Sequence, residues 1–383
     1  MQNGTRIDRT ERKLAKPNFT PIVAALPQTV PFVGPEALQR RSGITMRARI
    51  GANESGFGPS PAVKAAIAEA AGDVWKYPDP DVFDLRATVA AHVGVTAGEI
   101  SIGEGIDGLM SVLVRMFISP GEIVVTSAGA YPTFNYHVVG YGGQLRFVPY
   151  KDDHEHLEAL LDEVRRTNAR MVYLANPDNP MGTWWPAEAV NAFIAALPES
   201  CLFVLDEAYG ETAPAGTLPP LDAGRPNVLR LRTFSKAYGL AGIRCGYAIG
   251  DADLIGGFDR VRNHFGVSRL SQLAAGIALE DQAYLDQAVA SIHRANDRIA
   301  AIAADNGLSA IPTATNFVAV DCGRDGAYAL RVLEELGQLG IFVRKPMAPG
   351  LDRCIRVSAA PDREMDLFAE ALPTALRKAH GAG

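Results

Sequence analysis

A chain of 383 residues has room for one large domain and a smaller one, each with a buried core. Its 48% hydrophobic and 21% charged residues are those of a globular chain and argue against extended disorder. The net charge of −6 leaves no broad basic surface to neutralise nucleic-acid phosphates, so a nucleic-acid partner is not expected. The one basic cluster, Arg6, Arg9, Arg12, Lys13 and Lys16, reads as a solvated arm. Cys201, Cys245, Cys322 and Cys354 are scattered and form no C-x-x-C pair, so neither a disulfide framework nor a metal site is expected. No apolar run approaches the roughly 20 residues of a membrane helix, and the start lacks the apolar core of a secretory signal. A cytoplasmic location follows as an expectation.

From about residue 35 to 260, short apolar, β-rich runs alternate with helix-like stretches. Strands are expected at 122–126, 171–175, 201–205 and 228–231, with helices at 106–117 and 186–196. This is the pattern of parallel strands buried on both faces and joined by crossover helices. Beyond about residue 265 the texture changes: one long helical stretch is expected over 271–306, then strands at 317–320 and 354–357. Residues 1–34 read as an arm, 51–265 as a large α/β domain, and 35–50 with 266–383 as a smaller α+β domain.

Ligands of an open parallel sheet sit beyond the carboxyl ends of its strands, and three such ends carry unusual polar sets. The first is Asn176-Pro177-Asp178-Asn179-Pro180-Met181-Gly182, a loop stiffened by prolines. By itself, a plain turn explains it. The second is Asp206-Glu207-Ala208-Tyr209, where an apolar strand runs into a carboxylate that needs a partner if it is buried. A helix-capping role for Asp206 is the competing explanation. The third is Thr233-Phe234-Ser235-Lys236-Ala237-Tyr238-Gly239, a lysine among small and apolar neighbours, with Arg244 shortly after.

One kind of ligand accounts for all three: a pyridine ring whose nitrogen pairs with Asp206 and whose phenolic oxygen accepts from Asn179 and Tyr209. Its aldehyde would condense with Lys236, and Ser235 and Arg244 would reach its phosphate. A fourth segment, Gly103-Glu104-Gly105-Ile106-Asp107-Gly108, spells the dinucleotide fingerprint G-x-G-x-x-G. The next strand ends at Ser127-Ala128 with no acidic residue for a ribose, so phosphate binding at a helix start is retained and dinucleotide binding is not. His154-Glu155-His156 has the wrong spacing to share a helix face, and Lys151-Asp152-Asp153 beside it reads as a solvated loop.

These segments, with Ala52-Asn53-Glu54, Lys76-Tyr77-Pro78-Asp79, Tyr131-Pro132-Thr133-Phe134 and Arg353-Cys354-Ile355-Arg356-Val357, make the chain similar to the fold-type I class I/II aminotransferases that use pyridoxal 5'-phosphate. The resemblance runs from about residue 31 to 356 and is closest to the histidinol-phosphate aminotransferase branch. It implies a mostly parallel large-domain sheet, and Lys236 as the lysine that forms the internal aldimine. It implies Asp206 at the ring nitrogen, Asn179 and Tyr209 at the ring oxygen, and Phe134 stacked on the ring. Gly105, Ile106, Asp107, Thr233, Ser235 and Arg244 would hold the phosphate. Tyr77 would reach the phosphate of a neighbouring subunit, which implies a homodimer with shared sites. Arg356, and less directly Arg344, would clamp an anionic substrate group. Phe32 stands where the family has a tyrosine near the substrate phosphate.

The implied reaction moves an amino group from histidinol phosphate or a related, possibly aromatic, amine to a 2-oxo acid such as 2-oxoglutarate. A decarboxylase of a phosphorylated amino acid on the same scaffold, or a non-catalytic cofactor-binding regulator, are the alternatives.

Overall fold

The computed structural model describes residues 17–28 and 33–381. Its strands, in chain order, are β1 (Ala48–Arg49), β2 (Ile100–Gly103), β3 (Ile123–Ser127), β4 (Gln144–Val148), β5 (Met171–Ala175), β6 (Leu202–Asp206), β7 (Val228–Thr233), β8 (Gly246–Gly250), β9 (Ser309–Ala310), β10 (Phe317–Asp321), β11 (Ile341–Phe342) and β12 (Cys354–Ser358). Seven of them form the central sheet in the order β2-β8-β7-β6-β5-β3-β4. The neighbours β7-β6, β6-β5, β5-β3 and β3-β4 are parallel, whereas β8 runs antiparallel to both β2 and β7. The fold is the expected α/β architecture with a mostly parallel central sheet.

Strand periodicity places the chemistry. On β6, Leu202 and Val204 face one core cluster, while Phe203 and Leu205 face another. Asp206 continues the first face and Glu207 the second. On β5, Met171, Tyr173 and Ala175 share the first face, and on β7 so do Leu229 and Leu231. The antiparallel direction of β8 has a consequence for the same edge. The chain leaves β7 at Thr233 and re-enters the sheet at Gly246 opposite it, so the connecting loop with Lys236 and Arg244 stays at that edge.

The helix Gly105–Phe117 buries Ile106, Leu109, Met110, Leu113 and Val114 against the first face, a spacing of one helical stripe. It starts without a side-chain cap, which leaves first-turn N–H groups open toward the strand ends. The single helical stretch expected over 271–306 is two helices, Arg269–Glu280 and Gln282–Asp305. Asp281 between them leaves the helical region and caps the second by accepting from Tyr284 N.

Outside the central sheet, β10 pairs antiparallel with β12 and β9, and β1 pairs parallel with β11. Ala48 and Ile50 pack with Ile299, Tyr328, Val332, Ile355 and Phe368 in one cluster, so residues far apart in sequence share a core. Among the described residues no helix is long and apolar enough to cross a membrane, and no cluster of side chains could hold a metal.

Candidate active site

A cavity of about 320 Å³ opens at the carboxyl ends of β2, β5, β6 and β7. Ile106, Asp107, Asn179, Asp206, Tyr209, Thr233, Ser235, Lys236 and Arg244 line it, so most of the expected site residues converge on one space. An outer cavity of about 780 Å³ shares Asp107, Tyr131, Asn179 and Lys236 with it and adds Arg344 and Arg356.

Asp206 sits at the floor. Its Oδ2 accepts from the Tyr173 hydroxyl at 2.7 Å and its Oδ1 from Ala208 N at 2.9 Å. The second contact is the local turn contact of the capping explanation, but it leaves the carboxylate buried with no full counter-charge. Burial pushes the carboxyl up to about 6, and the Tyr173 hydroxyl only partly opposes this. Lys236 shows the complement: burial and the positive Arg356 bring its ammonium down to about 8. Its Nζ donates to Asn53 O at 3.3 Å and lies 5.6 Å from the centre of the Tyr209 ring.

Tyr209 accepts at its hydroxyl from Asn53 Nδ2 at 2.9 Å, which leaves its own proton to be donated into the cavity. Asn179 uses its Oδ1 to accept from Arg356 Nη1 at 2.5 Å, and its amide N–H groups remain to donate. Arg356 stands over the Phe317 ring at 5.0 Å, and its Nε is buried with no hydrogen-bond partner. An orphaned buried donor of that kind marks a place where an acceptor belongs. Arg344 donates to Val33 O at 3.0 Å and bridges backbone to backbone with Arg356, so the two guanidinium stems rise side by side.

At the opposite wall, Thr233 Oγ1 donates to Ser235 Oγ at 2.9 Å, and Arg244 reaches Ser235 Oγ at 3.4 Å and Asp107 at 3.3 Å. Gly105 has φ of +74°, and a Cβ there would lie 2.6 Å from Arg244 Nη2. The glycine is what lets the guanidinium approach the helix start. Hydroxyls, a guanidinium and uncapped N–H groups thus stand together on one wall, a donor set that can take an anion.

Several expected residues fall elsewhere. Phe134 is fully buried and stacked on Tyr173 at 4.4 Å, beneath the cavity floor and not along its wall. The helix Pro132–Gly140 turns it inward with Val138, and the aromatic that lines the cavity is Tyr131, whose hydroxyl donates to Asp107 at 2.9 Å. Tyr77 is exposed and lies against Phe265, away from the cavity of its own chain. Phe32 lies outside the described residues.

Lys151 and Asp152 are exposed, as expected of a solvated loop, whereas Glu155 shortly after them is buried. It accepts from Ser127 Oγ at 2.5 Å and Ala175 N at 2.9 Å. Burial and the neighbouring Asp178 drive it well above the carboxylate range, and burial pushes Asp178 itself up to about 7. Asn53, Tyr131 and Tyr173 also line the two cavities, and the sequence alone gives them no role. For Asn53 the available signal is its left-handed backbone, φ +56°, which asparagine tolerates better than most residues.

A family model described as aminotransferase class I and II matches residues 48–372. A histidinol-phosphate aminotransferase of Geobacillus is 33% identical over 356 residues, which cover 92% of this chain and 96% of that protein. Histidinol-phosphate aminotransferase 1 of Bacillus cereus is 35% identical over 346 residues, 90% of this chain and 92% of the relative. Among solved structures, the histidinol-phosphate aminotransferase of Sinorhizobium meliloti in complex with pyridoxal-5'-phosphate is 56% identical. It superposes with a TM-score of 0.92 over 95% of this chain and 99% of that chain.

Proposed function

This chain belongs to the class I and II aminotransferases, and from that premise we propose that it transfers the amino group of histidinol phosphate to a 2-oxo acid, 2-oxoglutarate in the first place. It is a pyridoxal 5'-phosphate-dependent aminotransferase. The observation that carries the reading is the convergence of Lys236, Asp206 and a phosphate seat on one cavity at the sheet's carboxyl edge. The donor set fits the cofactor. Asp206 is a buried carboxylate short of a counter-charge, Lys236 a buried amine, and Arg244, Ser235 and Thr233 stand at the uncapped helix start.

When bound, the cofactor supplies an electron sink for the pair of electrons left by the donor's departing α-proton. The chain's own residues do the rest. Asp206 holds a positive charge at the ring nitrogen, and Tyr209 and Asn179 donate toward the ring oxygen. Lys236 is the attachment point and the base. With its ammonium brought down to about 8, a fraction of its amine is neutral near neutrality and can take the proton from the donor's α-carbon and hold it for its return. Arg356, whose Nε has no partner, offers N–H groups to the donor's phosphate and so orients the C–H bond for removal, and offers them to a carboxylate of the 2-oxo acid in the return half, while Arg344 beside it supplies a second positive charge.

The remaining roles belong to the same reading. Residues 35–50 with 266–383 would act as a smaller body against 51–265. Tyr77, exposed at 80%, packs on the exposed Phe265, an aromatic pair suited to a second copy, which would bring Tyr77 to its neighbour's phosphate seat. A cytoplasmic location suits four cysteines that are all buried and unpaired. The decarboxylase alternative gains no support from these relatives.

A donor panel decides the substrate. Histidinol phosphate, aromatic amino acids and phosphothreonine are each offered to the loaded enzyme, and conversion of the cofactor to its amine form is followed by absorbance. Histidinol phosphate is expected to give the highest kcat/KM. Preference for an aromatic amino acid would overturn the substrate assignment, and release of carbon dioxide without conversion would overturn transamination.

A further inference from the structure

We propose that Arg353 is a positioning residue: it locks the start of β12, and with it Arg356, to the turn at Asp153, and so sets the reach of Arg356 toward the substrate carboxylate. This rests on the functional reading above. Arg353 uses its whole guanidinium. Nε donates to Asp321 at 2.7 Å, Nη2 to both oxygens of Asp153 at 2.9 and 2.8 Å, and Nη1 to Gly350 O. Asp321 is the register partner of Cys354 across β10 and β12, so that arm of the fork belongs to the small sheet. Asp153 lies in the turn between β4 and the helix Leu157–Thr167, so the other arm crosses to the central-sheet side.

The turn is tied in turn to the loop that carries Asn179. Asp153 O accepts from Thr183 Oγ1 at 2.8 Å, and Thr183 O accepts from Asp178 N at 2.8 Å. Arg356, three residues after Arg353, donates to Asn179 at the same loop. One strand therefore grips one loop at two points, through Arg353 on the outside and Arg356 on the inside. Gly182, at φ +81°, lets that loop press on Thr313 of the small-sheet side. Asp152 and Asp153 hold left-handed backbones at φ +49° and +62°, a conformation that needs external contacts to persist. The fork on Asp153 is such a contact. A planar fork can bridge two carboxylates in this way, whereas a lysine can serve only one well.

The test uses the loaded enzyme and 2-oxoglutarate, which the aldehyde form of the cofactor cannot aminate, so that binding is measured at equilibrium by calorimetry. Arg353→Gln and Asp153→Asn are each expected to weaken binding by about five-fold, the scale of a partly exposed ion pair. The double variant should be no weaker than the poorer single one, and Arg353→Lys should recover part of the loss. The cofactor absorption band should be unchanged. Lowered melting temperature with unchanged 2-oxoglutarate affinity would mean a structural role only and would overturn the proposal. If the unsubstituted enzyme binds no 2-oxo acid, the functional reading fails instead. The lock is then decided by amide hydrogen exchange over residues 178–183, where faster exchange in Arg353→Gln supports it and identical exchange overturns it.

Discussion

The two faces of β6 and β7 carry buried charge in opposite ways. Behind the sheet, Glu207 accepts from Arg230 Nε at 3.0 Å, from Arg230 Nη2 and from Arg232 Nε at 2.9 Å. Each carboxylate oxygen there is matched by guanidinium donors. In front, one residue earlier, Asp206 has a tyrosine hydroxyl and a backbone N–H but no bound cation, Lys236 has one carbonyl, and Arg356 keeps an orphaned Nε. Alternation along a single strand thus sets a completed network against an incomplete one. The completed set is structural, and the incomplete one has the shape of what it must hold.

The largest effect that could break this contrast is at Lys236. Lys236→Ala is expected to lower kcat/KM by roughly 10³-fold or more and to remove the absorption band of the lysine-bound cofactor. Normal turnover in that variant would end the reading. Asp206→Asn keeps the shape but not the charge, and the expected loss in kcat is roughly 10²- to 10³-fold, with the cofactor still bound through its phosphate.

On the back face the prediction is for stability rather than rate. Glu207→Gln leaves Arg230 and Arg232 buried without their counter-charge, a change expected to cost about 3–5 kcal/mol in denaturant unfolding. Glu211 nearby, itself held up to about 7 by burial, softens the loss by ionising toward Arg232. The cofactor band per folded molecule should be unchanged. A variant that folds as well as the parent but loses the band would erase the distinction between the faces.

A titration sharpens the same comparison. In the cofactor-free protein burial raises the folded pKa of Asp206 to about 6 from its ordinary 3.8. The folded state therefore binds the proton first, and this group makes the protein less stable as pH rises from about 4 through 6. Lys236 is lowered to about 8 from 10.5, so its penalty is present below 8 and disappears as pH rises toward 10.5. Between about pH 6 and 8 both groups are charged and poorly compensated. The stabilisation on adding the cofactor, read as a rise in melting temperature, should be largest in that window, with a contribution of about 1–3 kcal/mol from these groups. Asp206→Asn should flatten its acid side, and an unchanged profile in that variant would remove Asp206 as the cause.

Much of this was legible in sequence because a strand buried on both faces is a short apolar run that ends where polar residues begin. The strands expected at 171–175, 201–205 and 228–231 fall within a residue or two of β5, β6 and β7, and each ends at a site loop. What escaped depends on contacts between distant segments. β8 runs antiparallel, and nothing local in its apolar run says so, although its direction is what returns Arg244 to the cavity edge. Asn53 meets Tyr209 across 156 residues, and Glu155 is buried only because β3 and β5 bring Ser127 and Ala175 to it. The placement of Phe134 is of the same kind. Tyr131 and Phe134 stand three apart at a helix start, and only the docking of that helix decides which ring faces the cavity.

That pair gives the smallest test. Tyr131 lines the cavity and holds Asp107, whereas Phe134 fills the core under Tyr173. Tyr131→Leu removes a ring face and a hydroxyl from the cavity wall, so cofactor affinity is expected to fall by about ten-fold, in line with a stacking contact of about 0.5–1.5 kcal/mol. Phe134→Leu removes packing atoms where no ligand reaches, and should cost about 1 kcal/mol of stability with cofactor affinity unchanged. Titration of the cofactor-free variants by absorbance separates the two. If Phe134→Leu weakened the cofactor and Tyr131→Leu did not, the ring contact would return to Phe134, and the front face of β5 would have to open further than this packing allows.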